Sequence, residues 1–396
     1  MEKKIDTPYY VVHKSIIEEE FYKLKYSLEK YWGNFTIGYS YKTNALPWII
    51  TYMEHLGSYA EVVSEDEYSL AQMVGVPTTH IIYNGPIKKK ESFQEAILRG
   101  AIVNIDSQRE LEWLEELPTS DNYKVGLRVN FDIEKYCPGQ SQCPQEGGRF
   151  GFCYENGELG KAINRLESKG FRIAGLHLHT SSKTRGIDIY ETICKIACMI
   201  KEQYGLQLSY IDVGGGFFGG LPEKPQFDDY LAVMSRILSK SFSSEKTAII
   251  VEPGMAFIGA AISYVTSVID IKRTTYNQFV VTDGTRTSID PLMTKISYFH
   301  RYVKKNSTEK VEKQVICGYT CMEHDRLYIA EQEERLEIGD KIIYEKVGAY
   351  TMCLTPLFIK YFPSVYVEEN AQLYCIRKKW TPKEYIQGSA VWSEVK

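Results

Sequence analysis

Several short stretches of this chain carry side chains whose type and spacing suit chemistry. Thr36–Asn44 (TIGYSYKTN) runs through apolar and β-favouring residues into Lys42, and Asn44, Pro47 and an amphipathic segment follow at once. That pattern predicts a strand with a lysine at its C-terminal mouth. Such a lysine is either a solvated surface ammonium or a buried amine of depressed pKa, able to form a Schiff base. Gly175–Ser182 (GLHLHTSS) sets His177 and His179 two residues apart, on one face of an extended segment. They read as a metal pair, or as one packed and one functional histidine. A metal would need further histidine or carboxylate ligands. His13, His55, His80, His300 and His324 do not fall at strand ends of this kind, so no metal is expected.

Asp212–Gly216 (DVGGG) offers three glycines whose amides can approach a phosphate closely, with the hydroxyls of Ser181 and Ser182 as further donors. The same run also suits an ordinary tight turn. Glu252, in VEPGM, ends an apolar run. A carboxylate there either pairs with Arg128 or holds a ring nitrogen protonated, the condition that makes a pyridinium an electron sink. Further on, GYTCMEHD (Gly318–Asp325) places Cys321 among polar residues, and VGAYT (Val347–Thr351) offers the Tyr350 hydroxyl after a Gly-Ala turn. A thiol flanked by Glu323 and Asp325 suits a loop better than a core.

These residues need elements to hold them. Apolar runs predict strands at 36–42, 59–63, 80–83, 102–105, 124–129, 173–179, 208–213 and 248–252, with amphipathic helices at 15–32, 65–74, 88–98, 107–114, 159–168, 190–204 and 228–238. Eight alternating units over 13–262 have the rhythm of an α/β fold, the (β/α)8 barrel, whose chemistry gathers at the C-terminal ends of the strands. Lys42, Glu61, Arg128, His177, His179, Gly214, Gly215, Gly216 and Glu252 stand at or near those ends. Beyond this the rhythm changes. Runs at 264–271, 279–282, 312–317, 341–346 and 372–376 predict an all-β domain over 263–396, joined by a strand from residues 1–12.

Composition narrows the partners. The chain has 396 residues, 25% of them charged and 44% hydrophobic, as in ordinary globular proteins. A net charge of -4 and a pI near 6.1 give no electrostatic reason to bind nucleic acid or an anionic membrane. The N-terminus (MEKKIDTPYY) lacks the apolar core of a secretion signal, and Met255–Ile269 is too short for a membrane span, so a cytoplasmic protein acting on small molecules is expected. Nine scattered cysteines then read mostly as reduced thiols, and neither Cys194 with Cys198 nor Cys137 with Cys143 has the partners of a zinc site.

Six motifs, in this order, resemble the fold type III pyridoxal-phosphate decarboxylases, the family of ornithine, diaminopimelate and arginine decarboxylases. YSYKTN is similar to its YAxKAN, HLHTSS to HxHxGS, DVGGGF to its glycine loop, EPGM to EPGR and GYTC to GPxC, while GAYT matches outright. The resemblance covers about Thr7 to Trp380. It implies an alanine racemase-like barrel, pyridoxal 5'-phosphate as cofactor, and a homodimer with shared active sites. Lys42 would carry the cofactor on its amine, His179 would stack on the ring, Glu252 would pair with the ring nitrogen, and Glu61 and Arg128 would lie close by. Ser182, Gly214, Gly215, Gly216 and Tyr350 would bind the phosphate. Cys321 and Tyr350 would reach into the partner's site, and Cys321, whose thiol has a reference pKa near 8.5, would protonate the carbanion left by loss of carbon dioxide.

The departures from the family pattern bear on substrate. Met255 stands where the family has an arginine on the phosphate, with Lys183, Arg185 and Arg286 as candidate replacements. Diaminopimelate enzymes carry an Arg-Pro pair where this chain reads Asp290-Pro291, which argues against diaminopimelate. Asp283 falls where ornithine enzymes have an acid facing the distal amine, and Met322, beside Glu323, replaces their other substrate acid. The expected activity is decarboxylation of an amino acid: an ornithine- or lysine-like one, a D-amino acid, or an amine-bearing conjugate such as a siderophore or antibiotic precursor. Two alternatives stay open. An amino-acid racemase on the same barrel would use a tyrosine as second acid/base and lack the cysteine loop. A non-catalytic, cofactor-binding homologue would not need Lys42, Glu252 and Cys321 together.

Overall fold

A computed structural model describes residues 5–304 and 309–392. Residues 1–4, 305–308 and 393–396, which the sequence assigns to the β domain, lie outside the described residues. The chain divides into two compact units: Glu18–Phe257, and Met1–Ile17 together with Ile258–Lys396. Among the described residues no helix is long and apolar enough to cross a membrane.

Glu18–Phe257 is a closed barrel of eight parallel strands with flanking helices. The strands are β1 (Phe35–Ser40), β2 (Tyr59–Val62), β3 (Ile81–Tyr83), β4 (Ile102–Ile105), β5 (Lys124–Asn130), β6 (Gly175–His177), β7 (Tyr210–Asp212) and β8 (Ala248–Val251). Each pairs with the next along the chain, and β8 closes onto β1 with Val251 opposite Ile37. A two-residue strand, Phe152–Cys153, is added to β5. Helices outside and side chains inside bury both faces, so β3 (IIY) and β4 (IVNI) read as runs rather than alternations. The helix Ile187–Tyr204 keeps Ile189, Ile193, Ile196 and Ile200 buried at helical spacing, and Gly205, at φ +67°, ends it in a left-handed cap.

Five strands end earlier than their apolar patterns, β2 and β7 by one residue each, and the other three bear on the site. β1 stops at Ser40, and Lys42 lies in a 3-10 turn, Tyr41–Thr43. β6 stops at His177; the carbonyl of His179 is taken by the Arg128 guanidinium instead of a neighbouring strand. β8 stops at Val251, two residues before Pro253, which has no N–H to offer a ladder. Lys42, His179 and Glu252 therefore sit just past the strands and not within them.

The other unit contains nine strands among the described residues: Tyr9–His13, Ile262–Arg273, Gln278–Thr282, His300–Val303, Lys310–Cys317, Arg326–Glu334, Lys341–Tyr344, Ser364–Glu369 and Gln372–Arg377. Its spine is Ile262–Arg273, which pairs antiparallel with Tyr9–His13, Gln278–Thr282 and Lys341–Tyr344. His300–Val303, Arg326–Glu334 and Ser364–Glu369 were not expected from the sequence. Arg326–Glu334 lies at the end of its strand order, and its exposed positions, Arg326, Ile329, Glu331 and Gln332, mix an apolar residue with polar ones, which blurs the alternation that marks a half-buried strand.

Candidate functional site at the barrel mouth

The barrel interior changes character towards the C-terminal ends of its strands. Ile82, Ile102, Tyr210 and Ile250 form a buried apolar cluster with Ala174. Two residues further along, on the same face by the strand period of two, come Asn84, Asn104, Asp212 and Glu252. Ser40, Glu61, Arg128 and His177 join them, so all eight strands or the residues just past them contribute one buried polar side chain.

A buried polar layer of this kind is stable only when its members satisfy one another. Asn84 is the hub. Its Nδ2 donates to Glu61 Oε1 at 3.0 Å and to Glu252 Oε1 at 2.5 Å, while its Oδ1 accepts from Asn104 Nδ2 at 2.8 Å. Asn104 Oδ1 in turn accepts from the Tyr210 hydroxyl at 2.8 Å. Glu61 Oε2 accepts from Ser40 Oγ and, at 2.9 Å, from Lys42 Nζ. The Lys42 side chain is not buried: it is 37% exposed, while its partner Glu61 is 1% exposed. The amine stands at the mouth with access to solvent, which corrects the buried-amine reading.

Asp212 and Glu252 are neighbours in this layer. Burial, then the nearby Glu252 carboxylate, pushes Asp212 well above the usual carboxylate range. Burial acts upward on Glu252 too, but His177, Lys42 and a hydrogen bond with Asp212 outweigh it and hold its carboxyl well below that range. The two carboxyls are thus pushed in opposite directions, Asp212 up and Glu252 down. The expected alternative partner for Glu252, Arg128, lies elsewhere: its Nε is 3.7 Å from Asp106 Oδ1 and its Nη2 donates to the His179 carbonyl at 3.2 Å. Glu252 Oε2 instead lies 3.5 Å from His177 Nε2.

The two histidines differ in surroundings. His177 is fully enclosed in the polar layer, and burial lowers its pKa against the opposing pull of Glu252. His179 lies above it, the rings near-parallel with centroids 6.4 Å apart. Enclosure, then the charges of Arg128 and Lys42, pushes His179 down to about 3, so its ring is neutral. Its Nδ1 is buried without a hydrogen-bond partner. Gly214, at φ +73°, turns directly against it; a Cβ there would lie 2.4 Å from Nδ1, and one on Gly215 would lie 2.2 Å from the Glu252 carbonyl oxygen.

This donor set fits a phosphorylated ring cofactor. Lys42 supplies an amine beside Glu61, Glu252 a carboxylate within the polar layer, and His179 a ring with an unused nitrogen, while the glycine run turns tightly against His179 and Glu252. His177, Asp212 and Glu252 also bring one ligand atom each within 4.8 Å of one another. A cation is poorly served there, since Gly214 N already holds Asp212 Oδ1 and Asn84 holds Glu252 Oε1. Beside His179 and Arg128 a cavity of about 550 Å³ opens beneath the 137–151 loop, bounded by Phe131, Ser141, Phe150 and Thr180. That volume is in the range of small-molecule sites.

In the other unit, the Gly318–Asp325 loop hangs from one buried carboxylate. Asp325 accepts from the Thr320 amide at 3.1 Å, the Thr320 hydroxyl at 2.6 Å, the Thr285 hydroxyl at 3.0 Å and the Arg286 amide at 2.8 Å. This leaves Cys321 exposed at the tip, with Met322 partly buried and Glu323 exposed against Arg326. Tyr350 is exposed at φ +54°. Asp283 is nearly buried and accepts from the Ser267 amide at 2.8 Å and the Thr7 hydroxyl at 2.6 Å. Asp290 is held by Arg286, the Thr294 and Lys295 amides and the Tyr298 hydroxyl.

Sequence reasoning passed over Asn84, Asn104, Asp106 and Glu67, and saw Asp212 only as a prelude to the glycines. Asn84 and Asp212 end strands by the same rule that picked out Glu252, and Asn104 is a polar residue inside an apolar run. Glu67 gives no such signal: its carboxylate turns back to the Val63 amide at 2.9 Å, and burial pushes it up to about 7.

Comparison with known proteins adds the family. The domain described as "pyridoxal-dependent decarboxylase, pyridoxal binding domain" matches residues 15–259. A diaminopimelate decarboxylase from Aquifex aeolicus is 25% identical over 386 residues, covering 94% of this chain and 89% of its own. Mouse (Mus musculus) ornithine decarboxylase is 23% identical over 369 residues, covering 86% and 77%. The crystal structure of diaminopimelate decarboxylase from M. jannaschii in complex with L-lysine superposes with a TM-score of 0.84 at 24% identity, covering 98% of this chain and 93% of that one.

Proposed function

The chain belongs to the pyridoxal-dependent decarboxylases, and on that premise we propose that it removes the α-carboxylate of an amino acid bearing a basic or amine-containing side chain. Ornithine- and lysine-like amino acids, or amine-bearing biosynthetic conjugates, are the class meant. The observation that carries the proposal is the continuous link from Lys42 through Glu61 and Asn84 to Glu252 at the barrel mouth.

Pyridoxal phosphate, when bound, supplies a cationic ring that accepts the electron pair released as the substrate's carboxylate leaves as carbon dioxide. Lys42 would hold it through its amine, and Ser182 with the run Gly214, Gly215 and Gly216, whose first amide is committed to Asp212, would hold its phosphate. Glu252, kept anionic by its neighbours, holds a proton at the ring nitrogen. His179 offers a neutral face, and Arg128, pinned to the His179 carbonyl, keeps that face in place. Glu61 takes the ammonium of Lys42 when the amine is free. We assign the final proton, delivered to the substrate's α-carbon, to the Cys321 thiol of a second subunit, with Tyr350 of that subunit on the phosphate. The protein on this reading is a cytoplasmic homodimer.

Substrate preference follows from charge. Asp290, at the position where the sequence resemblance places the diaminopimelate enzymes' arginine, is an anion, and its own arginine neighbour, Arg286, is bound to it at 2.9 Å. Arg286 is thus committed to Asp290 and not turned towards a distal carboxylate. Asp283 has two of its roughly four acceptor sites filled, which leaves capacity for a distal ammonium. Met322 and Glu323 would complete that wall.

The test is carbon dioxide release and product mass with ornithine, lysine, diaminopimelate in both configurations, and amine-bearing conjugates. Release with a basic substrate and little with diaminopimelate is expected. Inversion at the α-carbon without carbon dioxide would make the protein a racemase, and cofactor binding without turnover would make it a non-catalytic homologue.

A further inference from the structure

Position 255 carries a thioether, which can neither neutralise a phosphate nor donate a hydrogen bond to it. Three cations were candidates to compensate. Arg286 belongs to the C-terminal unit, where its Nε and Nη2 are spent on Asp290 at 3.1 and 2.9 Å. Lys183 is exposed, and its amide is drawn to the Gln140 carbonyl at 3.0 Å. Arg185 alone turns inward. Its Nη1 donates to Met255 Sδ at 2.8 Å, and its guanidinium lies 4.6 Å from the centroid of Phe218, two residues past Gly216.

Sulfur is a weak acceptor, and among the described residues no carboxylate pairs with this guanidinium. A cation is thus brought to the glycine loop and left there unneutralised. Its backbone is shaped for the task. Arg185 adopts φ +54°, uncommon for a residue with a side chain, and is held by the Tyr230 hydroxyl on its carbonyl at 2.7 Å and by Ser182 Oγ on its amide at 3.2 Å. Tyr190 packs edge-on to Tyr230 and donates to the Gly215 carbonyl at 2.8 Å. One tyrosine pair therefore braces both the arginine and the glycine loop, and Ser182 touches Arg185 directly.

We propose that Arg185 is the phosphate-binding cation of this site, acting through the space that the unbranched Met255 leaves beside it. The proposal rests on the reading of the barrel mouth as a pyridoxal-phosphate site, and its test separates the two. Apo-protein is titrated with pyridoxal phosphate and with pyridoxal, which lacks the phosphate, following the visible absorbance and the quenching of protein fluorescence. R185Q is expected to bind pyridoxal phosphate ten- to a hundredfold more weakly, the loss of one charged hydrogen bond, with pyridoxal affinity unchanged. The double variant R185Q/M255R, which returns a guanidinium from the other side, should recover most of the loss.

Folded R185Q that binds pyridoxal phosphate as the wild type does, or that loses both ligands equally, overturns the assignment. If R185Q does not fold, R185K decides, because a lysine keeps the charge without the planar fork: a severalfold loss confined to the phosphorylated ligand is expected, and no loss overturns the proposal. A wild-type protein that binds neither ligand overturns the reading of the site itself and not the role of Arg185.

Discussion

Asn84 donates from a single amide nitrogen to two carboxylates, Glu252 at 2.5 Å and Glu61 at 3.0 Å, and so joins the ends of β8 and β2, the two strands that flank β1 and its Lys42 turn. Both acids are buried, so each depends on this donor for the satisfaction that water would otherwise give. Asn84→Ala should therefore destabilise the protein by about 3 kcal/mol, the range for losing hydrogen bonds to charged partners, and should weaken cofactor binding. Urea denaturation checks the first and cofactor titration the second. Asn84→Asp would place a third acid in the cluster and should be more harmful at pH 8 than at pH 5.5; equal loss at both pH values would remove Asn84 from the role of charge bridge.

Glu67 makes stability depend on pH with a definite sign. In the unfolded chain its carboxyl titrates near 4.5, and burial raises it to about 7 in the fold. Between those values the folded state holds the proton more tightly than the unfolded one, so stability falls as pH rises from about 4.5 to about 7. Glu67→Gln, which keeps the shape without the titration, should flatten that part of the profile. Thermal midpoints of both proteins at pH 5 and 7.5 test this, and parallel profiles would show that Glu67 ionises freely.

Cys321 and Asp325 share a loop but should fail differently. Cys321 is exposed and bears no structural load, so Cys321→Ala should leave the thermal midpoint within the small range of surface changes and leave cofactor binding intact, while slowing turnover or misplacing the final proton. Asp325 satisfies four donors at once, and Asp325→Ala should cost several kcal/mol by leaving them buried and unpaired. Unchanged turnover and product in Cys321→Ala would take the thiol out of the chemistry.

Lys42 joins a partly exposed side chain to a buried anionic partner, Glu61. Lys42→Ala should lose cofactor on gel filtration where the wild type retains it, and should show no turnover. Its stability should stay near wild type or fall only modestly, because Glu61 keeps Ser40 and Asn84 as donors. Retained, unfilterable cofactor in that variant would mean a different attachment point.

Much of the barrel was legible in order. A strand is announced by its own residues, and the side-chain period of two is local backbone geometry, so the positions of Lys42, Glu61, Arg128, His179, the glycines and Glu252 near strand ends could be read from neighbours in the chain. The exact ends could not, because a strand stops where its ladder partners stop, and β8 ends at Val251 against Ile37 of β1, more than two hundred residues away in the chain. Strands such as Arg326–Glu334 escaped because an exposed edge of mixed polarity need not alternate.

What the residues do to one another was decided only by closure of the barrel. Residue types alone left Glu252 between Arg128 and a ring nitrogen; the fold sends Arg128 to Asp106 and the His179 carbonyl and gives Glu252 to Asn84. Type alone left Lys183, Arg185 and Arg286 equivalent as cations; the fold spends one on Asp290, exposes another and lays the third against Met255. The Asp212 carboxyl is pushed up because burial and a neighbouring carboxylate act together on it, and neither is a property of the DVGGG run. Residue identity and local period are carried by the chain; charge state and hydrogen-bond partner depend on which distant strands share a wall and how little water reaches them.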